Sequence, residues 1–190
     1  ASHFHPDHFN KEVLQWREQR PDIIYIFSKD ILRHRRAQKE DAVWLKKGEE
    51  YKDETLSVRA FGSTDVGVSF LLQASGKKIF HAGDLNNWHW MDESTEAEWK
   101  GAEKNFLHEL DDLYAYTPEV DVAMFPVDPR LGKEYMRGAG QFVTKIKTHI
   151  FVPMHFTPEY AKANTFHDFA EAHGVRFVSL THRGQKIEIE

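Results

Sequence analysis

Cysteine is absent from all 190 residues. That excludes a disulfide framework and any thiolate metal site, so a transition metal would have to sit on imidazole and carboxylate. No apolar run approaches the roughly 20 residues of a membrane span, and no basic segment leads into an apolar one at the N-terminus. No membrane partner is therefore expected, nothing marks secretion, and the chain reads as cytoplasmic. A basic surplus is missing too: 25 Lys and Arg face 30 Asp and Glu, a formal charge of −5. Phosphate-backbone binding needs a basic face, so no nucleic-acid partner is expected. Repeats, low-complexity tracts and Pro/Gly/Ser linkers are also lacking, and the length suits one core, so 1–190 reads as a single domain.

What is present is a hydrophobic share of 41%, a charged share of 29% and twelve histidines. The first two describe a globular protein, and the third supplies ligands in number. Along the chain, residues 9–19 read as a short helix ended by Pro21, and residues 22–27 (DIIYIF) as a buried strand. Ser28 is a candidate N-cap for a helix to about residue 36. Short strands follow in AVWL, TLSVRAF, VGVSFLLQ and KKIF, the last two joined by a tight turn at Ser75-Gly76. A loop over 84–94 precedes an acidic-faced helix over 95–114. Strands at 120–127 and 149–153 flank a helix over 138–147. A helix over 158–173 ends at Gly174, and VRFVSL and QKIEIE read as closing strands. This alternation predicts layered α/β architecture with mixed sheets.

Three stretches carry chemistry. Ser2-His3-Phe4-His5-Pro6-Asp7-His8 has the pattern H-x-H-x-D-H: His3 and His5 share one side of an extended segment, and Asp7 and His8 come from the turn after it. Four ligands suited to zinc, manganese or iron thus converge on one volume. Phe80-His81-Ala82-Gly83-Asp84 ends an apolar strand in a carboxylate that can bridge two metals, with Gly83 permitting close backbone approach. Val152-Pro153-Met154-His155-Phe156 places His155 at another strand end. Taken singly, FHAGD is also an ordinary turn, and His155 reads as readily as a satisfied structural histidine. Three such strand ends in one chain point to a shared cation.

SHFHPDH, FHAGD and VPMHF, in that order, resemble the successive metal motifs of the metallo-β-lactamase superfamily. The wording HAGD and PMHF is most similar to the branch that includes the ascorbate-phosphate lactonase type of enzyme. The resemblance implies an αββα four-layer sandwich with strands ahead of the first motif, so residues upstream of Ala1 are expected to be missing from this sequence. It implies His3 and His5 on a first metal, Asp7, His8 and His155 on a second, and Asp84 between them. A further family histidine corresponds to the stretch 61–70, where Ser63 stands in its place. Asp65 is then either a substitute oxygen ligand, favouring manganese or iron over zinc, or a plain turn residue. With one or two divalent ions bound, the implied reaction is hydrolysis of a small ester, lactone or phosphoester, with Asp7 orienting the water. Two alternatives stand beside it: a phosphodiesterase acting on nucleic acid or lipid headgroups, and a catalytically silent binding module with an incomplete first site. His81, His89 and Arg130 are candidate substrate contacts, and Trp88 and Trp90 a candidate apolar wall. The partner expected is a small-molecule substrate, and a homo-oligomer is compatible with all of this.

Overall fold

A computed structural model describes residues 1–188. Nine strands are found among them: β1 (Ile26–Ser28), β2 (Val43–Leu45), β3 (Glu50–Lys52), β4 (Leu56–Phe61), β5 (Ser69–Ala74), β6 (Lys77–His81), β7 (Glu119–Pro126), β8 (Lys147–Met154) and β9 (Arg176–Phe177). The first two pair in parallel as a small sheet of their own. The other seven lie side by side in chain order. Neighbours run antiparallel from β3 to β6 and parallel from β6 to β9.

The change of direction follows from the connections. Ser75 and Gly76, at φ 51° and 74°, form the two-residue turn that lets β5 fold back onto β6. Parallel neighbours instead need a crossover, which helix α2 (Glu96–Tyr116) supplies between β6 and β7 and helix α3 (Arg137–Lys145) between β7 and β8. The start of α2 is set by a capping box: the Thr95 hydroxyl accepts from the Glu98 amide, and the Glu98 carboxylate accepts from the Thr95 amide. Phe106, Leu110 and Leu113 recur at helical spacing and are its fully buried face.

Four layers result. The α2 and α3 face meets Phe80, Phe125 and Phe151 of the large sheet in the main core. On the sheet's other side, Val58 and Ala60 pack with Leu45 and Ile26 of the small sheet. Beyond that sheet lie helix α1 (Lys29–Arg33) and the 3-10 helix Lys11–Glu18, sealed by Phe9, Tyr25, Phe27 and Ile31. This is the αββα order the resemblance implies, with the inner small sheet reduced to two strands. No helix among the described residues is long and apolar enough to cross a membrane.

Several elements differ from the expectation. The strand over 22–27 shrinks to β1, because 21–22 form a turn that spends the Asp22 end of the run. The β3 edge was not anticipated; Glu50, Tyr51 and Lys52 carry no apolar alternation. The helix over 158–173 is two short ones, α4 (Tyr160–Asn164) and α5 (His167–Ala172), broken at Thr165 and Phe166 so that Phe166 turns fully into the core. Of the closing strands, VRFVSL contributes only β9. Residues 185–188 of QKIEIE are not strand, and its last two positions lie outside the described residues.

Candidate metal centre

The parallel part of the sheet makes the site. Asp84, Asp128 and His155 each follow the carboxyl end of a consecutive strand, β6, β7 and β8, so neighbouring strand ends deliver them to one edge. Ser2 to Phe9 lies against this edge as a loop: Val68 donates its amide to the Ser2 carbonyl, and His8 and Phe9 both donate to the His5 carbonyl. The Phe4 amide donates to Asp30 of α1 at 2.9 Å, and the Phe4 ring stacks on His34. Gly83 is at φ 56°, where a Cβ would stand 2.8 Å from Ser2 Cβ and from the Val68 carbonyl oxygen. The anticipated close approach at that glycine is therefore present.

The convergence is tight. His3 Nε2 lies 3.0 Å from His5 Nδ1 and 3.2 Å from Asp84 Oδ2. His8 Nε2 and His155 Nε2 lie 3.0 and 3.3 Å from Asp84 Oδ1, yet that buried oxygen accepts no hydrogen bond, because neither ring is aligned for one. Apart from the bond between the His3 and His5 rings, these donor atoms crowd Asp84 without bonding to it, an arrangement suited to a third body. Ligands about 2.0–2.1 Å from one zinc in a tetrahedron stand roughly 3.3 Å apart, close to the spacings here. Three groups, each with its donor atoms within 4.8 Å, could hold a cation: His3, His8 and Asp84; Asp7, His8 and His155; and His5, Asp65 and Asp84. Asp65 is thus gathered into the site, while Ser63 belongs to none of the groups and its Oγ accepts from the Asp65 amide.

The outward ring nitrogens are held as well. Ser2 Oγ is 3.1 Å from both His3 Nδ1 and His8 Nδ1, and can accept from both when Nε2 faces the centre. His155 Nδ1 donates to Asp128 Oδ2 at 2.9 Å. Such partners fix the tautomer of a ligating histidine. Burial would raise the Asp128 carboxyl, but hydrogen bonds from His155 and Arg130 overturn this and bring its pKa down to about 2. Burial would likewise raise Asp84, and His155 and His8 hold it well below the usual carboxylate range. Burial would lower His155, yet Asp128 and Asp84 lift it to about 9 without a metal. His3, with no exposed surface, is lowered to about 4 by burial, against the pull of Asp84.

Two cavities flank the centre. One, of about 600 Å³, is walled by Met154, Phe156, Tyr160 and Leu180 and reaches His81; the other, of about 390 Å³, is walled by Trp88, Trp90, Thr64 and Asp65. Asp7, Arg130 and His155 border both.

No protein-family model and no curated protein matches the sequence. Solved structures do match. Igni18, a metallo hydrolase from Ignicoccus hospitalis, superposes with a TM-score of 0.61 at 16% identity, over 95% of this chain and 74% of that one. YhfI from Bacillus subtilis, a metallo-β-lactamase fold protein, gives 0.58 at 9%, over 93% and 71%. The chain has the metallo-β-lactamase fold. CmlA, a diiron β-hydroxylase from Streptomyces venezuelae, gives 0.60 at 13%, over 94% of this chain and 42% of its own.

In this metallo-β-lactamase fold the anticipated residues His3, His5, Asp7, His8, Asp65, Asp84 and His155 come together, and His81 and Arg130 line the cavities. His89 does not: it is buried, its Nε2 meets the Glu134 carbonyl and its Nδ1 accepts from the Met91 amide, so it serves the 84–94 loop. Trp88 and Trp90 stack at 6.5 Å beside the centre, and the Trp88 indole donates to the Asp84 carbonyl. Ser2 and Asp128 were not singled out as site residues. A carboxylate directly after a buried strand was the available signal for Asp128; for Ser2 there was only its place beside His3.

Proposed function

We propose that the chain is a metal-dependent hydrolase of a small ester, lactone or phosphoester. The observation that carries this is the buried Asp84 Oδ1, which stands 3.0 and 3.3 Å from the Nε2 atoms of His8 and His155 yet accepts no aligned hydrogen bond from either. Asp7, His8 and His155 would hold one cation, and His5, Asp65 and Asp84 another, with His3 grouped with His8 and Asp84 beside them. A divalent ion held here supplies water acidified to a pKa of about 7 and a Lewis-acid contact for a carbonyl or phosphoryl oxygen. The protein's own residues do the rest. Asp7, whose side chain is 66% exposed, stands at the mouth common to both cavities, where its carboxylate can orient a water and take its proton. Asp128 keeps His155 in the tautomer that presents Nε2, and Ser2 does the same for His3 and His8. Trp88 limits bulk water beside His155, at 5.4 Å between ring centroids.

Asp65 answers for the missing histidine at Ser63. With Asp65 and Asp84 both contributing oxygen, that half of the centre favours manganese or iron more than it would with a histidine in place of Asp65. Elemental analysis of the purified protein tests the reading. Two metals per chain, falling to one in Asp65→Ala, is the expected result. Asp84→Ala is expected to lose bound metal and at least about 10³-fold in hydrolysis of an ester and lactone panel. Full activity in Asp84→Ala would remove the proposal, and metal-free protein that binds no added ion would favour a silent module.

A further inference from the structure

We propose that the substrate of this centre carries an oxyanion, a carboxylate or a phosphate, that docks on Arg130, and an apolar arm that lies against Met154, Phe156, Tyr160 and Leu180. This rests on the hydrolase reading and adds the substrate class to it. Arg130 follows β7 on the short turn begun by Asp128, which accepts the Arg130 amide at 3.0 Å. Its Nε and Nη2 both donate to Asp128, so the guanidinium is locked in plane rather than waving in solvent. Asp128 is satisfied by these contacts together with His155.

Those bonds use two of the five N–H donors of the guanidinium, and Nη2 also stands 3.3 Å from His155 Nδ1. Nη1 has no hydrogen-bond partner among the described residues, and the side chain keeps 53% of its surface exposed. Arg130 borders both cavities and is the one Lys or Arg, among the described residues, that lines either. A fork already fixed by a buried carboxylate costs little entropy to bind a second oxyanion, and planar bidentate geometry suits carboxylate and phosphate alike. The larger cavity continues from Arg130 along an apolar wall on which Phe156 and Tyr160 meet edge to face. An anion at the mouth with a hydrocarbon portion beyond it fits that sequence of surfaces. A neutral polar substrate would leave both unused.

The experiment compares two esters of equal acyl length on metal-loaded protein, 4-nitrophenyl butyrate and mono-4-nitrophenyl succinate, which differ by a terminal methyl against a carboxylate. The succinate ester is expected to show the lower KM. Arg130→Gln is expected to raise its KM about 10–100-fold while the butyrate KM moves within about twofold; any loss of kcat through Asp128 and His155 would fall on both esters alike. Butylphosphonate, which is not hydrolysed, gives a second readout: its calorimetric affinity for the loaded protein is expected to drop about tenfold or more in Arg130→Gln. Equal KM changes for both esters, or unchanged phosphonate affinity, would overturn the inference. Arg130-dependent phosphonate binding without turnover of either ester would support the anion site and count against the hydrolase reading instead.

Discussion

Asp128 has almost no exposed surface, and its ionisation is sustained by what touches it. His155 occupies the left-handed region at φ 63°, a conformation that costs roughly 1–2 kcal/mol for a residue other than glycine. The bond from its Nδ1 to Asp128 helps to hold it there and aims Nε2 at Asp84. Asp128→Asn keeps the shape and removes the charge. Metal affinity, measured by competition with a chelator, is expected to fall about 10–100-fold while the fold survives. Unchanged affinity would mean that His155 is positioned by packing alone.

The β4–β5 connection shows how an element rather than a residue can govern the centre. Gly67 there is at φ 76°, and a Cβ on it would meet the Ser2 carbonyl oxygen at 2.0 Å and His3 Cβ at 2.5 Å. The strand pair thus reaches the first motif only because that position has no side chain. Gly67→Ala is expected to destabilise the protein by more than about 1 kcal/mol and to weaken metal binding, since the loop carrying His3 must move. Gly76→Ala is the control: it has a similar φ of 74° but nothing within 4 Å, so it should lower the melting temperature and leave metal affinity intact. Equal metal loss in both would show that strain, not the close approach, is what matters.

For the whole molecule, pH links the site to the stability of the fold. His81, beside the larger cavity, is lowered to about 4, first by burial and then by neighbouring positive charge. The unfolded chain takes up this proton near 6.5, so below that pH it binds more protons than the folded protein does. Stability from this group is complete above about pH 6.5 and is lost as the pH falls towards 4. Melting of chelator-treated protein is expected to follow that slope, and His81→Gln to flatten it. An identical pH profile in the variant would show that other groups carry the acid sensitivity.

Much of this protein is local and could be read along the chain. The capping box of α2, the Ser75-Gly76 hairpin and the buried runs of β6, β7 and β8 depend on neighbours a few residues away, as does the spacing of His3, His5, Asp7 and His8. Short polar β3 and the break between α4 and α5 answer to packing partners far along the chain, and local pattern carries no trace of them. The same divide runs through the site. Ligand types were legible because only imidazole and carboxylate can serve in a chain without cysteine. The place of Asp65 beside Asp84, the withdrawal of His89 into a loop scaffold and the Ser2 and Asp128 contacts were settled by the fold, which brings the strand ends at 84, 128 and 155 together with the β4–β5 connection and the 2–9 loop. Hydrogen bonds and ligand sets are distances in space, and a sequence specifies those only through the fold it adopts.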